Sequence, residues 1–571
     1  MRIKIIRLII IGLFILIALG LIYVQAIRGR YYYNLSTNNR IRVVPSEGLR
    51  GRIKDRNGKV LADNRISYNV TVTPQAIKDA NELFTFLSEV LGVDQQKLLQ
   101  RYYQRKFAPF APVVVAENIN KTKIFILEEN KYRFPSLLIE EGFQRFYPMG
   151  KASAHVLGYI GKMNRAEIEK YKEYGYSPQS VVGRSGVEEY YDQYLKGEKG
   201  GYQIEVNSRG QQVRLLSLKE PKRGRDIALT IDGDLQEFMT GLLKGSRGAI
   251  IVMDRDSGEV LGLTSSPSYD LNVLVDRKLQ GRLSAIRSNP HSPLLNRAIK
   301  GLFPPGSIFK IVVALGALDI NKITEHTTFT CNGYHEVGGM KFRCAHVHGS
   351  QNLIEAIAHS CNVYFYRLGL KIGADVIHRY ARMLGLGDIT QIDLPYEEEG
   401  NIPSRRQGIL SRRRPWYTGD TLNFSIGQGD VLTTPVQLVK MMSIIANSGV
   451  DVQPHLIKAI GGTTVVDHFS KRKIKIDQNI FKTLQQGMRA TVTDYSGTAH
   501  DLDLQGLYVA GKTGTAQTSG GRDDHSWFVG YADGTKKNVV FCIFLEHGGS
   551  SRNAVLVSRQ LLLWMQGKDM I

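Results

Sequence analysis

One stretch limits this chain more than any other. Leu8 to Val24, LIIIGLFILIALGLIYV, runs without a charge. With Ala26 and Ile27 beyond Gln25, the run reaches about twenty residues, enough to cross about 30 Å of hydrocarbon as a helix. It has no polar face, so it cannot lie half-buried on a soluble core. Arg2, Lys4 and Arg7 precede it, in the order of a signal peptide or signal anchor. The run is longer than a signal core and no small-x-small cleavage pattern follows, which predicts an uncleaved anchor. Arg28 and Arg30 also flank the far end, so charge alone does not set the orientation. No second run approaches this length. The rest of the chain is therefore expected on one side of the membrane, outside the cytoplasm.

Charge then acquires a meaning. The 571 residues carry a net charge of +21, with 43% apolar and 22% charged residues. That balance excludes a wholly disordered chain, and four cysteines exclude a scaffold built on disulfides. So large an excess calls for a polyanionic neighbour. Outside the cytoplasm, anionic lipid and an anionic polymer fit this role and nucleic acid does not.

Beyond the anchor, the sequence reads as two parts, 29–224 and 225–571, after a tip and anchor at 1–28. In the first part, Asp55-Arg56-Asn57-Gly58 is a hairpin turn between alternating apolar stretches. Leu83 to Tyr103 has helical spacing, and Val113–Val115 and Leu137–Ile139 read as strands. Residues 183–201 predict an amphipathic helix with Val187, Tyr190, Tyr191 and Tyr194 on one face. Nothing in 30–220 resembles a catalytic constellation, so this part is expected to hold the next domain away from the membrane. In the second part, Ile227–Ile231, Ala249–Asp254 and Val260–Thr264 are strands, and Gln236–Leu243 opens a helix. A long helical region covers 305–445. Val509–Gln517, His525–Tyr531 and Val539–Glu546 are strands, and 554–567 is a closing helix. Strands at both ends around a helical middle predict an α+β domain, an antiparallel sheet with helices on its faces.

Three short motifs carry the chemistry. In Pro304-Pro305-Gly306-Ser307-Ile308-Phe309-Lys310, the turn starts a helix and a spacing of three puts Ser307 and Lys310 on one face. A serine hydroxyl is a weak nucleophile, and a lysine neutralised by burial can take its proton. The helix start adds N–H groups near a developing oxyanion. Ser360-Cys361-Asn362 offers a hydroxyl to pass protons and an amide to orient a peptide. Lys512-Thr513-Gly514-Thr515, on an expected edge strand, offers a cation and hydroxyls for a carboxylate. Gly514 leaves room for a substrate backbone, and the Thr515 N–H can complete an oxyanion hole with that of Ser307. Each motif alone is common, and a helix cap or a solvated lysine explains it as well. Their order and separation, with Ser360 53 residues after Ser307 and Lys512 152 after Ser360, match the set S-x-x-K, S-x-N, K-T-G of penicillin-binding proteins and serine β-lactamases.

The chain resembles a class B penicillin-binding protein over almost its whole length. RGRIKDRNGKVLADN and GRSGVEEYYDQYLKG look like that family's pedestal. SSPSYDLN, LNRAIKGLFPPGSIFK, SIGQGDVLTTPVQL, AGKTGTAQT and HSWFVGYA follow in the family's order, and TGDTLNFSIGQGD is most similar to the elongation subgroup, which builds the side wall. The resemblance implies a D,D-transpeptidase that cross-links peptidoglycan stem peptides. Ser307 would attack the D-Ala-D-Ala carbonyl, Lys310 would act as base and Ser360 as shuttle, and Asn362 would position the donor. Lys512 and Thr513 would hold the terminal carboxylate. β-Lactams would be trapped on Ser307. It further implies partners: stem peptides on lipid-linked glycan strands, a membrane-embedded SEDS-type glycosyltransferase and other elongation-complex proteins. No cofactor is required. A D,D-carboxypeptidase, a serine β-lactamase and a non-enzymatic scaffold or β-lactam sensor are the rivals; the large pedestal speaks against the lactamase and the complete motif set against a vestigial site.

Some features stand outside this reading. Cys331 and Cys344 bracket a segment that also holds His335, His346 and His348. A disulfide, a structural zinc site and free thiols are all open there, with Cys331, Cys344, His346 and His348 as candidate ligands. Cys361 and Cys542 read as small core residues. Arg405, Arg406, Arg412, Arg413 and Arg414 form a basic cluster, read as a solvated loop or a contact for lipid headgroups or glycan-strand peptides. His525 and Trp527 are expected to pack beside the third motif.

Overall fold

The computed structural model describes residues 2–33, 41–46, 48–106, 112–163, 167, 181–206, 212–275, 280–405, 415–465, 469–518 and 520–571. Arg406, Arg412, Arg413 and Arg414 lie outside the described residues. The apolar run forms a helix, Arg2–Ile22, continued by a wider turn over Tyr23–Ile27. The span Ile3–Ile27 has mean hydropathy 3.0 and none of it is buried. At 1.5 Å per residue its length is about 37 Å, sufficient for a bilayer.

The chain separates into two compact units. One comprises Met1–Gly51, Asn64–Gln144 and Lys196–Gly224. Within it, the predicted helical stretch is two helices, Ala80–Leu91 and Gln95–Arg105. Gly92 at φ +66° stops the first, and Asp79 and Asp94 cap their starts by accepting backbone N–H bonds. Leu83, Phe84, Leu87, Leu98 and Tyr102 pack with Val113 and Val115 of strand Val113–Ile119 in one small core. A three-stranded antiparallel sheet in this unit orders Ile41–Ser46, Gly200–Val206 and Gln212–Lys219.

The other unit comprises Arg52–Asp63, Arg145–Leu195 and Arg225–Ile571. The compact units are thus interleaved in sequence, unlike the contiguous stretches 29–224 and 225–571. Residues 145–195 go with the carboxy-terminal part, where Gln236 donates to the Ala152 carbonyl at 2.7 Å and Asn296 to the His155 carbonyl at 3.2 Å. Arg145 Nε donates to Glu188 Oε1 at 2.7 Å, with the two side chains 1% and 0% exposed. Tyr191 donates to Asp393 at 2.7 Å, and Asp393 also accepts the backbone N–H groups of Leu456 and Ile457. The hairpin turn at Asp55 forms as expected, with Asp55 accepting from Asn57, Lys59 and Gly233. The helix predicted over 183–201 is two short ones, Gly186–Tyr190 and Asp192–Leu195. Its buried face is Val187, Glu188, Tyr191 and Leu195. Tyr190 and Tyr194 are exposed, since the break between the helices shifts the 3.6-residue period.

At the centre is a five-stranded antiparallel sheet, in order Val260–Ser266, Gly248–Asp254, Asn538–Leu545, His525–Asp533, Tyr508–Ala516. Its inner strands are apolar on both faces. Ile251, Met253, Trp527, Val529, Cys542 and Phe544 join one core cluster. Ile250, Val252, Phe528, Phe541 and Ile543 join another, with Leu235 and Met239 of helix Gly233–Leu242 and Leu561 and Leu562 of helix Ser551–Gly567. Period-two alternation thus sends successive residues to opposite helical layers. The predicted helical region contains the main helices of the first layer, among them Lys310–Asp319, Asn362–Ile372 and Pro435–Ala446. It is interrupted by two small ribbons, Phe329–Cys331 with Gly349–Gln351 and Tyr334–Val337 with Met340–Arg343. Gly338-Gly339, both at positive φ, close the second as a two-residue hairpin turn.

The buried ion pair gives a stability prediction. Glu188→Gln removes the carboxylate that the fully buried Arg145 Nε meets at 2.7 Å and should cost about 3–5 kcal/mol. The thermal unfolding midpoint of the full chain in detergent should fall clearly. An Arg145→Met, Glu188→Leu pair should recover most of the loss.

Candidate active site

Two backbones meet closely at the first motif. Gly306–Phe309 is a 3-10 turn leading into helix Lys310–Asp319. With three residues per turn, Ser307 and Lys310 stack along one line. Gly306 has φ +56°, and a Cβ there would fall 2.6 Å from the Thr515 carbonyl oxygen. A Cβ at Gly514 would fall 2.9 Å from the Pro305 carbonyl oxygen. Both glycines are therefore required for the turn to lie against strand Tyr508–Ala516, which is the end strand of the sheet, as the sequence predicted. On its other side, Gly306 N–H donates to the Gly427 carbonyl at 3.0 Å, and Phe309 stacks on Phe424. Ser307 is half-buried between these walls.

Lys310 is fully buried. Its Nζ donates to the Ser360 carbonyl at 2.7 Å, Ser360 Oγ at 3.2 Å and Asn362 Oδ1 at 2.7 Å. Burial pushes its pKa down to about 8, against the opposing pull of Cys344 and Cys361. The three acceptors match the three N–H groups of an ammonium. On losing a proton, the amine keeps a lone pair, and among these contacts only the Ser360 hydroxyl has a proton to offer it. The second motif is shaped for this. Helix Leu353–Ala358 ends, Ser360 takes the left-handed conformation at φ +56°, and helix Asn362–Ile372 begins. A non-glycine residue in that region is strained, and here it turns both oxygens of Ser360 to Lys310. Asn362 Nδ2 donates to the Arg343 carbonyl at 3.2 Å. Its amide is thus held by the protein at both ends, as an acceptor for Lys310.

Lys512 is also fully buried, with Nζ donating to the Thr513 carbonyl at 3.3 Å. Burial and the neighbouring Lys310 hold its pKa well below the usual lysine range. A substrate carboxylate entering here would restore its charge. Thr513 is 3% exposed and Thr515 half-buried. His525 and Trp527 pair in register with Ala516 and Gly514 and are buried. His525 Nδ1 accepts the His547 backbone N–H at 3.1 Å, and burial with the nearby His547 lowers its pKa to about 4. The ring is neutral and packs, as expected. Sequence reasoning missed Thr498, whose Oγ1 lies 2.7 Å from Thr513 Oγ1. No local pattern marks it, because only the tertiary fold brings it to the strand.

The cysteine cluster differs from its prediction in two ligands. Cys331, Cys344, His348 and Cys361 bring their donor atoms within 4.8 Å of one another, and all four cysteines of the chain are free thiols. Cys361 is thus a member of the cluster and not simply a core residue. The His346 ring is outside it; only its carbonyl accepts from Cys331. The Ser360 turn is the reason, since it points Cys361 toward Cys344. The Asn362 N–H donates to Cys344 Sγ at 3.1 Å. Hydrogen bonding from Cys361 and from backbone N–H groups lowers the Cys344 pKa. Three sulfurs and one imidazole this close suit a closed tetrahedral zinc site, whose sulfurs sit about 3.8 Å apart at a Zn–S length of about 2.3 Å. Cys542 is buried in the sheet, as predicted.

Known proteins are similar to this chain in sequence and fold. Residues 248–562 match the family described as Penicillin binding protein transpeptidase domain, and residues 45–229 the Penicillin-binding Protein dimerisation domain. The peptidoglycan D,D-transpeptidase MrdA of Escherichia coli (strain K12) is 32% identical over 566 residues, 94% of this chain and 89% of that protein. The penicillin-binding protein PBP2 of Helicobacter pylori, solved in a complex with MreC, superposes with TM-score 0.83 at 29% identity, covering 92% of this chain and 100% of that one. A chain of a solved peptidoglycan synthase complex gives TM-score 0.73 at 31% identity, covering 98% and 97%. With both domains matched in order and identity sustained over nearly its whole length, the chain belongs to the penicillin-binding protein transpeptidase family.

Proposed function

We propose that this chain is a peptidoglycan D,D-transpeptidase that acts through Ser307 during side-wall elongation. The observation that carries the reading is the fully buried Lys310, its Nζ on Ser360 and Asn362, one turn from Ser307 and beside the Lys512–Thr515 strand. Neutral Lys310 takes the Ser307 proton as Oγ bonds to the penultimate D-Ala carbonyl carbon. The N–H groups of Ser307 and Thr515 receive the oxyanion. As the C–N bond breaks, the proton passes through Ser360 to the amine of the leaving D-Ala. An amine of a second stem peptide then attacks the acyl carbon, its proton returns through Ser360 and Lys310 to the departing Ser307 oxygen, and the amide cross-link is formed. Lys512 and Thr513 hold the terminal carboxylate, with Gly514 leaving space for the peptide. A β-lactam acylates the same oxygen, and its tethered leaving group blocks the acceptor.

Intact mass of the detergent-purified protein with benzylpenicillin tests this. One adduct is expected per chain, and none on Ser307→Ala. Acylation should be slow where Lys310 is protonated and rise with pH through a midpoint near 8, set by its lowered pKa. A normal adduct on Ser307→Ala, or a rate that falls as pH rises through that window, would remove the assignment.

The Cys331, Cys344, Cys361, His348 cluster is proposed to hold one structural zinc. Bound there, the metal would tie the turn that carries Ser360 and Asn362 to Cys331, Cys344 and His348 and so stabilise it. About one zinc per chain is expected by elemental analysis. Cys331→Ser should lose the metal and lower the unfolding midpoint; a metal-free wild-type chain with an unchanged midpoint would count against it.

The amino-terminal helix is proposed to anchor the chain in the plasma membrane, with the bulk extracytoplasmic. The three-part division at residues 28 and 224 remains our functional reading, as tip and anchor, pedestal and transpeptidase domain. A SEDS-type glycosyltransferase and elongation-complex proteins are its proposed partners, supported by the relatives solved with MreC and in a peptidoglycan synthase complex. The glycosyltransferase is proposed to contact the anchor, so it should co-purify with the chain and be lost when residues 1–28 are exchanged for an unrelated span. Retention of the partner would put the contact elsewhere.

A further inference from the structure

Thr498 lies in the turn after helix Gln478–Thr493. That turn is fastened to the segment leading into Ser360. The Thr498 N–H donates to the Ala358 carbonyl at 3.3 Å. His359 Nε2 lies 2.9 Å from Ser496 Oγ and 3.6 Å from Asp494 Oδ2, while its Nδ1 lies 2.7 Å from Gln351 Oε1. Asp494 in turn accepts from both the N–H and the hydroxyl of Ser496. From this braced turn, Thr498 Oγ1 reaches Thr513 Oγ1 at 2.7 Å. One threonine therefore joins the element carrying Ser360 to the strand carrying Lys512 and Thr513.

The direction of that bond has a chemical consequence. The Thr498 hydroxyl has one proton and two nearby acceptors, the Ala358 carbonyl at 3.4 Å and Thr513 Oγ1 at 2.7 Å. An O–H bond is best near 2.7–2.8 Å and weak at the longer distance. Either hydroxyl can donate across the 2.7 Å contact. Once a carboxylate takes the Thr513 proton, the Thr498 proton is the one left to close that contact, in place of the weaker one to the Ala358 carbonyl. Having accepted it, Thr513 keeps its own proton for another acceptor. If Thr513 instead donated to Thr498, it would have nothing to give an anion.

We propose that Thr498 is a positioning residue that holds the Thr513 hydroxyl as a donor to the substrate's terminal carboxylate. This rests on the transpeptidase reading above. Thr498 touches no reacting atom; it acts through Thr513.

The test compares Thr498→Val, which keeps the shape and loses the hydroxyl, with Thr498→Ser, which keeps the hydroxyl. The probes are a thioester acyl donor ending in a free carboxylate and its methyl ester, with benzylpenicillin as control. With the free acid, Thr498→Val should lower the second-order acylation rate about tenfold, the scale of a lost hydrogen bond to a charged group. Thr498→Ser should stay within about threefold of wild type, and the methyl ester should barely distinguish the variants. In a Thr513→Val background, Thr498→Val should cost nothing more, because the shared bond is already gone. The proposal is overturned if Thr498→Val acylates as fast as wild type or faster, which would put the bond in the opposite direction. It is also overturned if the losses add in the double variant, or if acid and ester lose equally with a lowered unfolding midpoint, the mark of a merely structural role. Wild type that takes up no penicillin on Ser307 would instead refute the transpeptidase reading itself.

Discussion

Taking a lysine amine wholly out of water is costly unless each of its protons finds an acceptor. The Lys310 amine meets that condition with the two oxygens of Ser360 and the side-chain oxygen of Asn362. Much of the site follows from it. The Ser360 turn must adopt a left-handed conformation to offer its oxygens, and Asn362 must be fixed from behind by the Arg343 carbonyl. The same burial favours the neutral amine, which is the form a general base requires.

The sheet supplies the second half. Its end strand presents Lys512 and Thr513 while the inner strands are filled on both faces by helices. Gly306 and Gly514 let the serine turn approach that strand at a separation no side chain permits. The hydroxyl, the lysine and the strand N–H groups are thus held by backbone contacts within a rigid layer. Preorganisation of this kind lets an oxyanion site work without reorganising during the reaction.

The Ser360 turn is also shared. Cys361 faces Cys344 and His348, while Ser360 and Asn362 face Lys310. The strained residue is thereby flanked by a sulfur cluster on one side and the lysine on the other. Strained conformations persist where the surroundings over-determine them, and these two sets of contacts serve that purpose.

Much was legible in the chain order of residues. The apolar helix, the Asp55 turn, the antiparallel strands and the three motifs were all set by local pattern: hydrophobic period, turn chemistry and spacing. The family resemblance rested on the same residues. What local pattern could not carry was anything decided across long sequence separations. Residues 145–195 fold with the carboxy-terminal part because Tyr191 pairs with Asp393 there and the Ala152 and His155 carbonyls accept from Gln236 and Asn296. Cys361 looks like a core residue until the Ser360 turn points it at Cys344, and His346 looks like a ligand until the fold leaves its exposed ring edge-on to His348, with only its carbonyl on Cys331. Thr498 has no motif, and its hydroxyl meets Thr513 only when the helix before it is packed. Sequence by itself determined which chemistry was present; tertiary structure alone decided which groups are neutral, which are paired and which act through one another. Those properties depend on burial and on distances of a few ångströms between residues far apart in the chain.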